Sequence, residues 1–188
     1  PEIAHVASKA LERLDYVVPV FATEARVALA EEVSDNWLPD PSWRSVFVSG
    51  GSESVDAAIR VAQLHHVASG RPERHKVIGR DVSYHGATLG ALSAGLHDRR
   101  RKGLEQALLS MPKTSHCDAE ELEKVIELEG PDTISAFIGE PVIGAAAGAY
   151  VPPDDYWPRI SEICARHDIL VIADEVMTGF GRLGTPMG

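Results

Sequence analysis

Apolar residues recur along this chain in two rhythms, one helical and one strand-like, and the rhythms take turns. Ile3, Val6, Ala7, Ala10, Leu11 and Leu14 fall at helical spacing, so the chain opens with an amphipathic helix. Tyr16 to Phe21 breaks it, and Pro19 gives the break a cause, because a proline inside a helix removes a donor and clashes with the preceding turn. Thr23 then suits the N-cap of a second helix carrying Val27, Leu29, Ala30 and Val33, which stops before Pro39 and Pro41. Ser45 to Ser49 reads as a short strand, turned by Gly50-Gly51-Ser52-Glu53-Ser54 into a helix with Val55, Ala58, Ile59 and Ala62 on one face.

The alternation continues to the end. Lys76 to Gly79 reads as a strand, Asp81 to Gly86 as the loop beyond it, Thr88 to Ala94 as a small-residue helix, and Gly95 to Met111 as irregular polar surface. Asp118 and Glu121 form a D-x-x-E capping box ahead of Leu122, Val125 and Ile126, and that helix ends at Gly130-Pro131. Ile134 to Gly139 is the next strand and runs into Glu140, Pro141 and the flexible Gly144 to Gly148. Asp154 is expected to cap a helix bearing Tyr156, Trp157, Ile160, Ile163, Cys164 and His167, with Pro158 tolerable in its first turn. Ile169 to Ala173 is rich enough in β-branched residues to be a central strand buried on both faces, and it ends in two acids, Asp174 and Glu175. Strands alternating with helices imply βαβ units: an α/β fold with a mainly parallel sheet flanked by helices, in one layer system without an interdomain linker.

Composition narrows the function more than the fold. With 188 residues, 24% charged and 44% hydrophobic, the chain matches ordinary globular usage and can bury one sizeable core. A formal charge of −10 argues against nucleic acid or an anionic membrane as the main partner. The basic run Arg99 to Lys102 is read as a solvated loop or helix end. Two cysteines, Cys117 and Cys164, far apart and without C-x-x-C spacing, suit a reducing compartment and give no zinc pattern, so no metal is expected. No stretch has the apolar length of a membrane span and the first residues lack a signal core, which points to the cytoplasm. Pro1 is not an initiator methionine and Gly188 follows a loop-like G-T-P-M, so the chain is expected to be a fragment.

The chemistry concentrates at strand ends. Asp174 and Glu175 close a strand at the end where open α/β sheets bind ligands, and Gly179, Gly181 and Gly184 follow them. The Gly51-Ser52 turn presents free N–H groups and a hydroxyl at the positive end of a helix dipole, which suits a phosphate, although a plain strand-to-helix turn with a serine N-cap has the same letters. Tyr84 and His85 could offer an aromatic platform and a polar contact to a flat ligand.

Three ligand classes can use such a strand. A nucleotide triphosphatase would need G-x-x-x-x-G-K-[ST], which does not occur. A dinucleotide enzyme would need its G-x-G-x-x-G between a strand and a helix, whereas in Gly179 to Gly184 four residues separate Asp174 from the first glycine and no helical pattern follows the last. A pyridoxal phosphate enzyme needs a phosphate cradle, a ring platform and a carboxylate at the ring nitrogen. Gly51 with Ser52, Tyr84 with Val176 on the other ring face, and Asp174 supply these three.

The segments S-G-G-S-E-S-V-D-A-A-I-R, S-Y-H-G-A-T-L-G-A, G-E-P-V-I-G and I-A-D-E-V-M-T-G-F-G-R-L-G, in that order, resemble class III aminotransferases, the ω-amino-acid group of fold type I pyridoxal phosphate enzymes. The resemblance implies a large domain with a seven-stranded mixed sheet and a homodimer with its active site at the subunit interface. It also implies amino transfer between an amine or amino-acid donor and a 2-oxo acid acceptor. By motif match Gly51 and Ser52 contact the phosphate, Tyr84 stacks on the ring, Asp174 meets the ring nitrogen and Val176 packs behind it, while Glu140 and Arg182 take structural or indirect roles. The family's Schiff-base lysine and small C-terminal domain lie beyond the D-E-V segment, and none of Lys9, Lys76, Lys102, Lys113 and Lys124 matches that lysine. Residues 1–188 are therefore expected to be part of the cofactor-binding large domain, inactive alone. A mutase or decarboxylase of the same fold, a truncated non-catalytic module and, last, a nicotinamide oxidoreductase are the competing expectations.

Overall fold

A computed structural model describes residues 1–18 and 20–188, so Pro19, to which the first helix break was assigned, lies outside the described residues. The chain divides into two compact units, Pro1–Ser45 and Val46–Gly188. The first holds α1 (Glu2–Arg13) and α2 (Glu24–Asn36), and neither helix buries a residue. Thr23 caps α2 as expected, its hydroxyl oxygen accepting the Arg26 N–H at 3.2 Å.

The second unit is the α/β part. Four parallel strands, β1 (Lys76–Arg80), β2 (Lys113–Thr114), β3 (Ile134–Gly139) and β4 (Leu170–Ala173), lie in the order β2-β1-β3-β4. α3 (Gly51–Ala68) and α4 (Leu89–Ala94) pack on one face, where Val55, Ile59, Ala62, Ala91 and Ala94 meet Val77, Ala136 and Ile138. On the other face α6 (Glu120–Glu129) and α7 (Tyr156–Arg166) bring Leu122, Ile126, Ile160, Ile163 and Cys164 against Ile78, Ile134 and Phe137. Neighbouring residues of a strand feed opposite cores because side chains alternate across the sheet. Ile134 joins the face of Phe137, three residues away, because the register slips where Lys76 pairs with Ile134 but Val77 with Ala136. Ser135 is the extra residue of that bulge, and its hydroxyl donates to the Lys76 carbonyl at 2.9 Å. α4 closes onto β1 at Gly79, where a Cβ would sit 1.9 Å from the Ala94 carbonyl oxygen, so only glycine permits the contact.

Several expectations need correction. Ser45 to Ser49 forms no strand: Val46, Phe47 and Val48 are 75%, 40% and 37% exposed, and no ladder pairs them among the described residues. β-branched side chains favour a strand only where a neighbour supplies the hydrogen bonds. β4 is an edge strand and not a central one, with Val171 43% exposed. The D-x-x-E box is not reciprocal: Asp118 accepts the Glu120 N–H at 3.0 Å, while Glu121 turns outward to Lys124. Asp154 does not cap α7, whose N-cap is Asp155 without a side-chain bond. The turn before α3 is capped by Gly50 and not by a serine, with Glu53 accepting the Ser49 N–H at 2.6 Å. The stretch from Gly95 to Met111 contains α5 (Asp98–Arg101) and a 3-10 turn, Glu105–Ala107.

Candidate functional site

Parallel strands deliver their loops to one end of the sheet, and the chemistry gathers there. β1 leads into the loop with Tyr84, His85 and Gly86, β3 into Glu140, and β4 into Asp174 and Val176, while α3 begins nearby with Gly51 and Ser52. All of these residues, with Ala145 and Met177, line one cavity of about 260 Å³. That is close to the lower end of the range of about 300–1,000 Å³ for small-molecule sites. The five residues singled out from the sequence, Gly51, Ser52, Tyr84, Asp174 and Val176, are thus brought to a single wall system.

Asp174 is buried and held on three sides. Its N–H donates to the Gly139 carbonyl at 2.8 Å, which carries the β3–β4 ladder one residue past β4. Its Oδ1 accepts the Val176 N–H at 3.2 Å, and its Oδ2 is 2.6 Å from His85 Nδ1. An ionised carboxylate only accepts, so His85 carries its proton on Nδ1 and donates it to Asp174. His85 Nε2, also buried, has no hydrogen-bond partner. Each carboxylate oxygen accepts one bond in this arrangement and keeps a lone pair for a further donor.

The platform and the cradle are fastened by side chains that the sequence reading left in the background. Glu140 is the crosspiece: Oε1 accepts the Tyr84 N–H and Oε2 the Gly144 N–H, both at 3.0 Å. Arg80, fully buried at the end of β1, donates from Nη2 to the Glu140 carbonyl at 2.5 Å and lies 5.8 and 5.6 Å from the Tyr156 and Trp157 ring centroids. Burial lowers the Arg80 pKa from its usual value, with Tyr156 and Glu140 opposing that shift. At the cradle, Ser52 Oγ accepts the Ala87 N–H at 3.0 Å, which leaves the hydroxyl proton available to a ligand. Gly86 allows that contact: its φ is +137°, and a Cβ there would lie 2.4 Å from Ser52 Oγ. Val176 leans on the helix start, because a Cβ on Gly51 would meet its Cγ2 at 3.3 Å.

His85, expected as a polar contact for a flat ligand, bonds Asp174, and Glu140 spans Tyr84 and Gly144 in the structural place its motif match implies. Their signal was position: one follows the platform tyrosine and the other ends an apolar strand. Arg182 lines a larger neighbouring cavity of about 850 Å³, between α3 and the 173–187 segment, and not the small one. No group of metal-ligating side chains occurs among the described residues, and no described helix is long and apolar enough to cross a membrane.

The model of the family described as aminotransferase class-III matches residues 1–187. A putrescine–pyruvate aminotransferase of Pseudomonas aeruginosa is 35% identical over all of this chain and 45% of its own length. A chloroplastic gamma aminobutyrate transaminase of Solanum lycopersicum is 35% identical over all of this chain and 40% of its own. Among solved structures, an omega-transaminase from Thermomicrobium roseum superposes with a TM-score of 0.88 at 38% identity, covering 99% of this chain and 45% of that one. A transaminase from the marine bacterium Virgibacillus superposes with a TM-score of 0.93 at 32% identity, covering 99% and 44%. The chain spans less than half the length of these relatives. Matched from one end to the other and alike in fold, it belongs to the class III aminotransferases, a pyridoxal phosphate-dependent family.

Proposed function

We propose that residues 1–188 are part of the cofactor-binding domain of an aminotransferase that moves an amino group from an amine or amino acid to a 2-oxo acid. The observation that carries this reading is that a helix start, an aromatic ring and a buried carboxylate, far apart in sequence, share one small cavity.

The residues present fit pyridoxal phosphate. Gly51 and Ser52, with free N–H groups at the positive end of α3 and a spare hydroxyl proton, would hold the phosphate. Tyr84 and Val176 would take the two ring faces. Asp174 would accept a hydrogen bond from a proton-bearing ring nitrogen, and His85 keeps the carboxylate turned by donating to Oδ2. When bound, the cofactor supplies a ring that accepts electrons as a proton leaves the substrate carbon. The chain's part is to grip, orient and keep one proton at the ring nitrogen. No lysine is among the described residues that line the cavity. A homodimer and a cytoplasmic setting complete the proposal, the latter supported by two cysteines left free.

The test needs no covalent attachment: titrate the purified chain with pyridoxamine 5'-phosphate and follow its fluorescence. We expect saturable one-to-one binding, weakened in Ser52→Ala by about 1–3 kcal/mol, the scale of a charge-assisted hydrogen bond. Asp174→Asn should keep most of the affinity but lose the protonated-ring signature in the ¹⁵N spectrum of labelled ligand. Binding that ignores both substitutions would refute the assignment.

A further inference from the structure

The basic run Arg99 to Lys102, expected as a solvated loop or helix end, forms the end of α5 and its C-cap, and two of its members have partners in the fold. Arg101 reaches back over the end of α4, donating from Nη1 to the carbonyls of Leu92 at 3.2 Å, Ser93 at 3.4 Å and Gly95 at 2.6 Å. A helix end leaves such carbonyls without partners, and a cation is favoured there by the dipole. That clamp seats α5, whose third residue, Arg100, lays its guanidinium over the Tyr84 ring, 4.5 Å from the centroid. His97, just before α5, meets the same ring edge-on at 6.0 Å. The strap closes on itself, because Ser83 bridges Leu96 and its hydroxyl oxygen accepts the Leu96 N–H at 3.2 Å.

Tyr84 lines the cavity, whereas Arg100, over one face of its ring, and His97, edge-on to it, are not among the lining residues. We propose that Arg100 is a positioning residue: stacked on one face of Tyr84, it fixes the ring so that the opposite face can serve as a platform for a flat ligand. Apart from Arg100 and the edge-on His97, the tie on this residue is at its backbone, where Glu140 accepts the Tyr84 N–H, so the stack bears on the side-chain torsions. The platform role rests on the pyridoxal phosphate reading above, but the hold of Arg100 on Tyr84 does not.

Two measurements separate these. In the ligand-free chain with ¹³C-labelled tyrosine, Tyr84→Phe identifies the Tyr84 ring signals among those of Tyr16, Tyr150 and Tyr156. Arg100→Ala should shift the Tyr84 signals and leave the other three in place, and Arg100→Lys, which keeps the charge but not the planar stack, should restore part of the shift. In the pyridoxamine 5'-phosphate titration, Arg100→Ala should weaken binding roughly two- to five-fold, the scale of an exposed cation–π contact, and should have no further effect in a Tyr84→Ala background. Unmoved Tyr84 signals overturn the proposal, and so does an equal loss of affinity with and without the Tyr84 ring. If the parent chain does not bind the ligand, the cofactor reading fails, and the ring signals alone decide for or against Arg100.

Discussion

At the scale of single residues the site depends on pairs in which one member does chemistry and the other aims it. His85 is the clearest aimer, since it is buried, spends Nδ1–H on Asp174 and has no other bond. His85→Ala should lower unfolding stability by about 1.5–3 kcal/mol, the worth of a hydrogen bond to a charged group, because Asp174 stays buried with one oxygen undersupplied. His85→Asn, whose amide nitrogen reaches a place similar to Nδ1, should recover much of that loss in urea denaturation. Equal losses in the two variants would mean that ring volume, and not the bond, matters. The principal groups were legible because each sits next to glycines or at a strand end. Their supports were not, because what Glu140 and Arg80 do depends on backbone atoms brought close by the fold: Tyr84 N–H and Gly144 N–H for one, the Glu140 carbonyl for the other.

At the scale of elements, periodicity located β3, α3 and the caps with a local cause, such as Thr23 on α2. It failed where pairing decides. Val46 to Val48 has strand-forming side chains but no partner, and β2, at two residues, is too short to leave a pattern. β2 nevertheless carries Lys113, whose ammonium donates to the Ser93 and Met111 carbonyls at 2.9 Å. Burial, with Arg101 nearby as the smaller cause, pulls its pKa from 10.5 down to about 8. Because the folded value lies below the unfolded one, the unfolded chain binds more protons between about pH 8 and 10.5, and this lysine adds stability as pH rises through that window. Lys113→Met should flatten that part of the stability curve relative to the parent, as followed by urea midpoints at stepped pH. Parallel curves would show that the lysine is not desolvated as described.

At the scale of the whole α/β unit, the cavity has no wall of its own, only the ends of β1, β3 and β4 and the start of α3. Occupancy and folding of Val46–Gly188 are therefore linked, since a ligand that needs all four pieces cannot bind once any of them leaves. Pyridoxamine 5'-phosphate at a hundredfold excess over its dissociation constant should stabilise the unit by about 2.7 kcal/mol, read as a rise in the melting midpoint that Ser52→Ala reduces. A midpoint indifferent to saturating ligand would break the link.

The position of β4 at the rim of the sheet has its own thermodynamics. Its inner rail is bonded to β3, whereas no strand is bonded to the outer rail among the described residues. Amides and carbonyls that are not bonded to protein are bonded to water, so a strand docking there exchanges one set of partners for another, at a net gain of only about 1 kcal/mol per bond. Drying the apolar surface of Val171 would add to any such adhesion, at about 25 cal/mol per Å² covered.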